Sequence, residues 1–469
     1  MSGIPEEELR RRLRELPSVD GVLSEPGVVE TARRLHHRMA VRIVRQYIDE
    51  VRAGLLNGSN VRFDRDELCR RLRGQQRPTL TRAINCLGVL LHTGLGRSPL
   101  CPAAQEALAD IGAGFSSLEI DQDTGRRGSR YRHVEPLLCE LSGAEAAMVV
   151  NNNCAATLLV LTALASGREV IVSRGQLIEI GGSFRIPEVM MQSGCRMVEV
   201  GTTNRTHLRD YRNAINSNTA ALLRVHTSNY RIIGFTKEVG LAELVELGRE
   251  TGVMVIDDLG SGAFVDLSRY GLPSEPLVQD SIRTGADIVC FSGDKLIGGC
   301  QAGIIVGRKK WIDLLKKHPL TRALRCDKLT YSVLERTLEL FLDEERLVRE
   351  HPLWQLLLKD RAELQRQVRS LLRRIKPRLA GIADLEVKSS LSEVGGGSLA
   401  GQSLPTQVVV IRPRAASAEE VARRLRWHRP PVFCRVESDS VCVDLRTVRD
   451  PEIPVLAAAL LRVLAPAAT

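Results

Sequence analysis

The segment that decides the fold combines a short apolar run with a glycine-rich turn: Asp287-Ile288-Val289-Cys290-Phe291-Ser292-Gly293-Asp294-Lys295-Leu296-Ile297-Gly298-Gly299. Residues 287–291 predict a buried strand, and the turn places Lys295 at its carboxyl end, where α/β sheets bind their ligands. The amine of such a lysine can condense with an aldehyde once burial lowers its pKa, and glycines let a ligand approach the backbone. Taken alone, the pattern also fits a solvated loop lysine.

Similar apolar runs recur before this segment and alternate with stretches of helical length. They are residues 146–150, 169–173, 220–225 and 254–256. This alternation predicts an α/β fold with a mainly parallel sheet covered by helices. Residues from about Ile4 to Gln76 instead predict short helices rich in Arg and Glu, and the chain after about Phe341 predicts a small α/β unit. We therefore expect a helical domain over 1–80, a catalytic core over 81–345 and a small α/β domain over 346–469.

The composition is that of a globular protein with a basic surface. Hydrophobic residues make up 43% of the 469 positions and charged residues 26%, which argues against disorder, and we find no apolar run that could span a bilayer. A net charge of +10, carried mainly by arginine, favours nucleic acid or phosphorylated substrates as partners. The 11 cysteines have no C-x-x-C spacing and no leader segment opens the chain, so we expect no metal site and a reducing cytoplasm.

Two aspartates follow another predicted strand. Residues 253–256 run into Asp257-Asp258-Leu259-Gly260. A carboxylate at that strand end can pair with a protonated pyridine nitrogen and keep the ring able to accept a carbanion. We expect Asp257 to have this role, with Asp258 as the second choice. A helix N-cap is the structural alternative for either residue.

A third strand end is suited to bind a phosphate. Val149-Val150-Asn151-Asn152-Asn153-Cys154-Ala155-Ala156-Thr157 passes from a strand into an apolar helix, whose first amides, at Asn153, Cys154 and Ala155, would receive the phosphate. Ser292 is expected as an extra donor. Phosphate site, aspartate and lysine in this chain order resemble the fold-type-I family of pyridoxal-phosphate enzymes. The resemblance implies that Lys295 holds pyridoxal 5′-phosphate as a Schiff base.

Further motifs resemble those of bacterial selenocysteine synthases, the selenium transferases that act on seryl-tRNA. The matching segments extend along almost the whole chain. They are Ile84-Asn85-Cys86-Leu87-Gly88-Val89-Leu90-Leu91-His92-Thr93-Gly94-Leu95-Gly96-Arg97, Glu179-Ile180-Gly181-Gly182-Ser183-Phe184-Arg185-Ile186-Pro187, Glu199-Val200-Gly201-Thr202-Thr203-Asn204-Arg205-Thr206, Val225-His226-Thr227-Ser228-Asn229-Tyr230, the lysine segment itself, Gln301-Ala302-Gly303 and His318-Pro319-Leu320-Thr321-Arg322-Ala323-Leu324-Arg325.

This resemblance implies a transferase that converts L-seryl-tRNA(Sec) to L-selenocysteinyl-tRNA(Sec) with selenophosphate. Lys295 would remove the α-proton of the seryl group, and loss of the β-hydroxyl would leave an aminoacrylyl-tRNA to which selenium adds. Asp294 would orient the lysine or assist loss of the hydroxyl. Arg97, Arg322 and Arg325 occupy the family's positions for binding selenophosphate, a compact anion that suits the arginine fork.

The resemblance also implies contacts away from the lysine. His226 and Asn229 belong to a segment that lines the cofactor ring, and His92 is a weaker candidate. Family members are rings of dimers, so we expect a homo-oligomer, a decamer by resemblance. The residues expected near subunit contacts are Arg130, Thr202 and Thr203. The amino-terminal helices would bind the transfer RNA by its shape and through arginine contacts to phosphate.

Two other functions fit part of the sequence. A pyridoxal-phosphate lyase acting on a small phosphorylated amino acid would use the same lysine and an anion site, but it would need no helical domain for RNA. A non-catalytic tRNA-binding or assembly protein would not need the lysine, the aspartate and the phosphate site together. The chain departs from the family pattern at positions that we interpret as tolerated variation. These are Cys86, Leu87, Gly94, Cys154 and Cys300.

Overall fold

The structure is a computed structural model and describes residues 6–33, 35–75, 78–182 and 184–465. The chain divides into two compact units, Met1–Arg82 and Ala83–Thr469. Ile4 and Gln76, which bound the predicted helical region, and Ser183 in one of the motifs lie outside the described residues. The predicted boundary between residues 345 and 346 falls inside the second unit and stays a prediction.

The first unit is helical, as predicted. Its helices are Glu6–Arg14, Val19–Leu23, Pro26–Ala32, His37–Leu56 and Arg65–Gln75. The longest of them buries Ile43, Val44, Tyr47 and Val51 at helical spacing, which gives it one apolar stripe for the core of this unit. No helix within the described residues is both long enough and apolar enough to cross a membrane.

A seven-stranded sheet forms the centre of the second unit, and we call it the large sheet. In spatial order its strands are Ala146–Val150, Gly303–Gly307, Ile288–Ser292, Met254–Gly260, Thr219–Val225, Glu169–Ser173 and Arg196–Val200. The strand Gly303–Gly307 is antiparallel to both of its neighbours, and the other neighbouring pairs are parallel. This confirms the predicted, mainly parallel sheet.

Helices surround the large sheet, and apolar strand residues explain why. The strands Ala146–Val150, Ile288–Ser292 and Gly303–Gly307 are buried at every position, so both faces of the sheet need a covering layer. The α-helices of this region are Pro102–Ala113, Glu135–Ser142, Asn153–Ala165, Ile186–Gln192, Leu208–Ala214, Leu241–Thr251, Val278–Thr284, Lys309–Lys317, Leu320–Leu324, Lys328–Glu339, Glu344–Glu350 and Pro352–Leu357. Short 3-10 turns and a two-stranded ribbon, Glu179–Ile180 with Phe184–Arg185, complete it.

A second, five-stranded sheet lies within the same unit, and we call it the small sheet. Its strands, in spatial order, are Ile84–Cys86, Val432–Glu437, Ser440–Asp444, Ser398–Pro413 and Ala383–Gly395. The α-helices Arg361–Leu379, Ala418–Arg426 and Ile453–Leu464 accompany it. Its first strand, Ile84–Cys86, lies in the segment that was predicted to belong to the catalytic core, and Ile84 pairs in parallel register with Val432. The strand is only three residues long, which is too short to show the periodicity from which the sequence could predict it.

The two longest strands of the small sheet form a hairpin. Ala383–Gly395 and Ser398–Pro413 pair in antiparallel register, and we call residues 395–399 the hairpin tip. Gly395, Gly396 and Gly397 all have positive φ, with values of 73°, 63° and 74°. Three consecutive left-handed residues are accessible to glycine at little cost, so this sequence forms a sharp turn that residues with side chains would strain.

Candidate active site

A cavity of about 430 Å³ lies where several large-sheet strands have their carboxyl ends, and we call it the lysine cavity. Parallel strands bring their carboxyl ends to one edge of a sheet, which explains why residues distant in sequence meet here. Most of the site residues expected from the sequence line it. These are Arg97, Asn153, Cys154, His226, Ser292, Asp294 and Lys295.

Lys295 is buried in this cavity, with 5% of its surface exposed. Its Nζ donates a hydrogen bond to the carbonyl oxygen of Gly397 in the hairpin tip, 3.3 Å away. A Cβ at Gly397 would stand 3.2 Å from that Nζ, so only glycine allows this approach without a shift. Burial, followed by the charge of Arg97, lowers the pKa of Lys295 to about 8. A substantial fraction of the amine is therefore neutral and nucleophilic near physiological pH.

An ion pair borders the lysine. Arg97 Nε lies 2.9 Å from Asp294 Oδ2, and Arg97 Nη1 donates to the carbonyl oxygen of Gly396, 3.0 Å away. Arg97 itself has a φ of 64°, so its backbone is held in a left-handed conformation that a non-glycine residue adopts rarely. Burial raises the pKa of Asp294, although Arg97 opposes this effect. Asp294 is thus better able to carry a proton than an exposed aspartate.

The two consecutive aspartates point to opposite faces of the large sheet. Asp258 lines the lysine cavity and accepts hydrogen bonds from Asn153 Nδ2 at 2.8 Å and Thr157 Oγ1 at 3.0 Å. Burial raises the pKa of Asp258. Asp257 is fully buried elsewhere, 2.8 Å from Arg224 Nη1 and 2.7 Å from Ser281 Oγ. The first choice, Asp257, is therefore wrong for the cavity carboxylate, because strand alternation turns it away and brings Asp258 in.

The expected phosphate turn lies beside Asp258 in the cavity lining. Asn152 caps the helix Asn153–Ala165, and its Oδ1 accepts from the amide of Ala155, 2.9 Å away. Asn153 and Cys154 line the cavity, but Ala155 does not, and its amide is already used by the cap. Ala155 therefore does not take the place in the phosphate site expected for it. Burial, with Asp258 nearby, raises the pKa of the Cys154 thiol, which keeps it protonated.

The segment after strand Thr219–Val225 contributes every second residue. His226 and Ser228 line the cavity, whereas Asn229 is exposed and donates to the carbonyl oxygen of Glu179, 2.7 Å away. The placement of Asn229 on the cofactor ring is thus not supported. Ser228, which sequence reasoning missed, is 1% exposed, and its Oγ has no hydrogen-bond partner among the described residues. Period-two alternation starting from His226 is the signal that could have found it.

A second cavity, of about 420 Å³, contains the other two expected arginines, and we call it the arginine cavity. Besides Arg322 and Arg325 it is lined by further cationic or potentially cationic side chains. These are Arg127, Arg130, Lys316, Lys317 and His318. Glu119 is the one carboxylate of the lining; it pairs with Arg130 and with Arg127 Nη2 at 2.8 Å, and it lies 3.9 Å from Arg325 Nη1.

The structure does not bring Arg97 together with Arg322 and Arg325 in one cavity. The two cavities are nevertheless close in the fold, because the amide of Asn151 donates to the carbonyl oxygen of Leu324, 2.9 Å away. Asn151 directly precedes two residues of the lysine cavity, and Leu324 directly precedes Arg325. Within one chain the arginines expected to bind the anion are therefore divided between two neighbouring cavities.

Comparisons with known proteins add to this geometry. A family model described as L-seryl-tRNA selenium transferase matches residues 83–449, and one described as selenocysteine synthase N terminal matches residues 13–52. The chain is 48% identical to the L-seryl-tRNA(Sec) selenium transferase of Nitratidesulfovibrio vulgaris, covering 97% of this chain and 100% of that protein. It is 49% identical to the protein of the same name from Desulfomicrobium baculatum, covering 96% and 99%.

Among solved structures, D-glucosaminate-6-phosphate ammonia-lyase has a similar fold. The TM-score is 0.57 at 21% sequence identity, and the match covers 82% of this chain and 96% of that chain. At this level of identity the likeness concerns the fold alone.

Proposed function

The chain belongs to the L-seryl-tRNA selenium transferase family, and on that premise we propose that it replaces the hydroxyl of seryl-tRNA(Sec) by selenium from selenophosphate. Its fold is that of the fold-type-I pyridoxal-phosphate enzymes. The observation that carries the proposal is the buried Lys295 with its lowered pKa, in one cavity with the carboxylate of Asp258. The alternative of a small-substrate lyase is disfavoured, because the curated relatives with high identity are selenium transferases.

The lysine cavity fits pyridoxal 5′-phosphate in its size and in its unsatisfied polar atoms. Cavities of a few hundred Å³ are typical for cofactors of this kind, and the buried Ser228 Oγ and Asn153 Oδ1 have no partner in the described part of the chain. Lys295 would hold the aldehyde carbon and Asp258 the ring nitrogen. The amides at Asn153 and Cys154, with Ser292, would hold the phosphate. When bound, this cofactor withdraws electrons from the substrate's α-carbon.

The chain's own residues then divide the proton transfers. Lys295 Nζ takes the proton from the α-carbon of the seryl group, which requires the neutral amine that its lowered pKa provides. Asp294, whose pKa burial raises, gives a proton to the β-hydroxyl as it leaves. Arg97 holds the Asp294 carboxyl group in place through their 2.9 Å contact. The hairpin tip holds both cations in place, since the carbonyl oxygens of Gly396 and Gly397 accept hydrogen bonds from Arg97 and Lys295.

We assign the arginine cavity to selenophosphate, in an oligomer in which a neighbouring subunit completes each site. One chain holds Arg322 and Arg325 in a cavity separate from its own Lys295, so an arrangement in rings of dimers would let one subunit's arginines serve its neighbour's lysine. The cavity lining has many cations and one carboxylate, Glu119, which suits a multiply charged anion.

The amino-terminal unit is proposed to bind the transfer RNA. Arg38, Arg42 and Arg45 are exposed on one side of the helix His37–Leu56 at helical spacing, and none of the three forms a salt bridge with the residues that the structure describes. Free guanidinium groups in a row are suited to an RNA backbone. Replacing all three by alanine should weaken the binding of seryl-tRNA and lower its salt dependence, while the uptake of pyridoxal phosphate stays unchanged. Such an enzyme would work in the cytoplasm, where aminoacyl-tRNA is used.

One experiment tests the proposal directly. The purified protein is incubated with pyridoxal phosphate, seryl-tRNA(Sec) and selenophosphate, and the amino acid is then released from the RNA and identified. Selenocysteine is the expected product, and unchanged serine would refute the proposal. Release of ammonia from a free phosphorylated amino acid, without any change to the RNA-bound serine, would favour the lyase instead.

A further inference from the structure

Glu275 is a buried residue whose carboxylate forms hydrogen bonds with residues around the lysine cavity. It lies just before the helix Val278–Thr284 and is 6% exposed. Its Oε2 is 3.1 Å from His226 Nε2 and accepts a hydrogen bond from Ser261 Oγ, also at 3.1 Å. Its Oε1 accepts from the amide of Leu399, 2.6 Å away. One carboxylate thus joins three separate segments of the chain.

Two of these segments form the surroundings of Lys295. His226 lines the lysine cavity, and Leu399 belongs to the hairpin tip, whose Gly397 accepts the hydrogen bond from Lys295 Nζ. Leu399 has a φ of 52°, an unfavourable conformation for a residue with a branched side chain. Its short hydrogen bond to Glu275 helps to offset that cost.

The charge of Glu275 determines which ring nitrogen of His226 carries a proton. Burial alone would raise the pKa of Glu275, but the hydrogen bond and charge of His226 and the hydrogen bonds from Leu399 and Ser261 lower it below its ordinary value. An ionised carboxylate accepts hydrogen bonds only, so Nε2 of His226 must carry a proton. In the neutral imidazole, Nδ1 then remains an acceptor.

We propose that Glu275 is a positioning residue, which fixes the ring orientation and the Nε2-protonated form of His226 in the lysine cavity and holds the hairpin tip over Lys295. The inference rests on the proposed binding of pyridoxal phosphate in that cavity. Carboxylates that orient a functional histidine in this way are common in metal sites, where their loss typically costs about 10- to 100-fold. Glu275 acts through His226 and Leu399 and is not itself in the cavity lining.

The test measures the binding of pyridoxal 5′-phosphate to apo-protein, followed by the visible absorbance of the bound cofactor. Glu275→Gln keeps the size of the side chain and removes its charge, so an amide group replaces one acceptor. We expect the Kd to rise by about tenfold or more and the absorbance maximum to shift. Glu452→Gln is the matched control, because Glu452 is also buried, at 5% exposure. It bonds to the amide and side chain of Arg449, whereas Glu275 bonds to His226 and Leu399. This control should bind the cofactor like the wild type.

A double-mutant cycle separates positioning from general loosening of the fold. His226→Phe keeps a flat ring and removes the donor to Glu275. If Glu275 acts through His226, Glu275→Gln adds little to the Kd in the His226→Phe background. An undiminished effect in that background would overturn the proposal, as would a wild-type Kd and spectrum for Glu275→Gln alone.

The outcome remains interpretable if one variant fails to fold. Glu275→Asp keeps the charge and withdraws the carboxylate by one methylene, and the same cycle with His226→Phe then decides. Failure of the wild-type protein to bind the cofactor at all would refute the proposed function. Normal binding by the wild type and by both Glu275 variants would refute the role of Glu275 alone.

Discussion

The lysine cavity and the arginine cavity have nearly the same volume but opposite electrostatic designs. In the lysine cavity cations and carboxylates lie close together, as Arg97 and Asp294 do. Burial lowers the pKa of Lys295 and raises the pKa of Asp294, and both shifts favour the neutral form of the group. In the arginine cavity Glu119 faces a surplus of cations. The first arrangement suits covalent chemistry and proton transfer, and the second suits a mobile anion.

Replacing Lys295 tests the first half of this comparison and has the largest expected effect. Lys295→Ala should abolish the visible absorbance of the bound cofactor and lower turnover by at least about 10⁴-fold, since it removes both the covalent anchor and the base. Absorbance spectra and single-turnover assays measure the two effects. Persistence of the same absorbance band in the variant would show that another amine holds the cofactor.

Replacing Arg325 tests the second half. Arg325→Ala should lower selenium transfer by about 10- to 100-fold, the range expected for losing a hydrogen bond to a charged group, while the cofactor spectrum stays unchanged. Arg322→Ala should behave alike. Activity is measured against selenophosphate concentration, and a loss of cofactor binding would contradict the division of labour between the cavities.

Mixed oligomers sharpen this prediction. Lys295→Ala chains are expected to be inactive, and Arg325→Ala chains to keep about a tenth to a hundredth of the activity, so recovery is judged against the Arg325→Ala oligomer alone. After dissociation and joint reassembly, some sites would combine an intact lysine with an intact arginine pair from different subunits. Recovered activity supports completion of the site by a neighbour, and its absence argues that each chain uses its own arginines.

The two aspartates give a smaller and paired effect. Asp258→Asn should lower turnover by about 10- to 100-fold with little loss of stability, because its carboxylate faces the cofactor site. Asp257→Asn should instead lower the free energy of unfolding by about 1–3 kcal/mol, because Arg224 loses its buried partner. Urea denaturation and steady-state kinetics, measured on both variants, check the assignment. The reverse pattern would restore Asp257 as the cofactor's partner.

The pH dependence of cofactor uptake has the smallest expected effect. Only the neutral amine of Lys295 reacts, so the rate of uptake should rise about tenfold between pH 7 and pH 9 and level off above the pKa of about 8. Stopped-flow absorbance of apo-protein mixed with pyridoxal phosphate measures it. A rate that stays constant over this range would mean that the amine is already neutral at pH 7.

Much of the fold could be predicted because its strands are apolar along their whole length. The strand ends near Lys295, Asp258 and Asn153 followed from the same pattern. The sequence could not tell Asp257 from Asp258, because the strand continues to Gly260 and is buried on both faces. Apolar flanks then give no indication of which aspartate faces the ligand.

Other residues depended on tertiary contacts that local pattern does not contain. Arg322 and Arg325 are identified by motif, but their separation from Arg97 arises from how the segment near Leu324 joins Asn151. Glu275 carries no motif, and only the fold brings it to His226. Ala155 was expected to bind phosphate, yet the side chain of Asn152 already occupies its amide. In each case the contact that decides the residue's position or role is made with a residue distant in sequence or with a local helix cap.

The parallel pairing of Ile84–Cys86 with Val432–Glu437 has a consequence for the order in which the protein matures during synthesis. All seven strands of the large sheet are made before residue 308, so the sheet that carries Lys295 can assemble before the hairpin tip is made. The hairpin tip and the partner of the earliest strand follow about a hundred or more residues later. A nascent chain therefore passes through a stage with an uncovered amine, and the enclosure is complete only after residues 395–437 have been made.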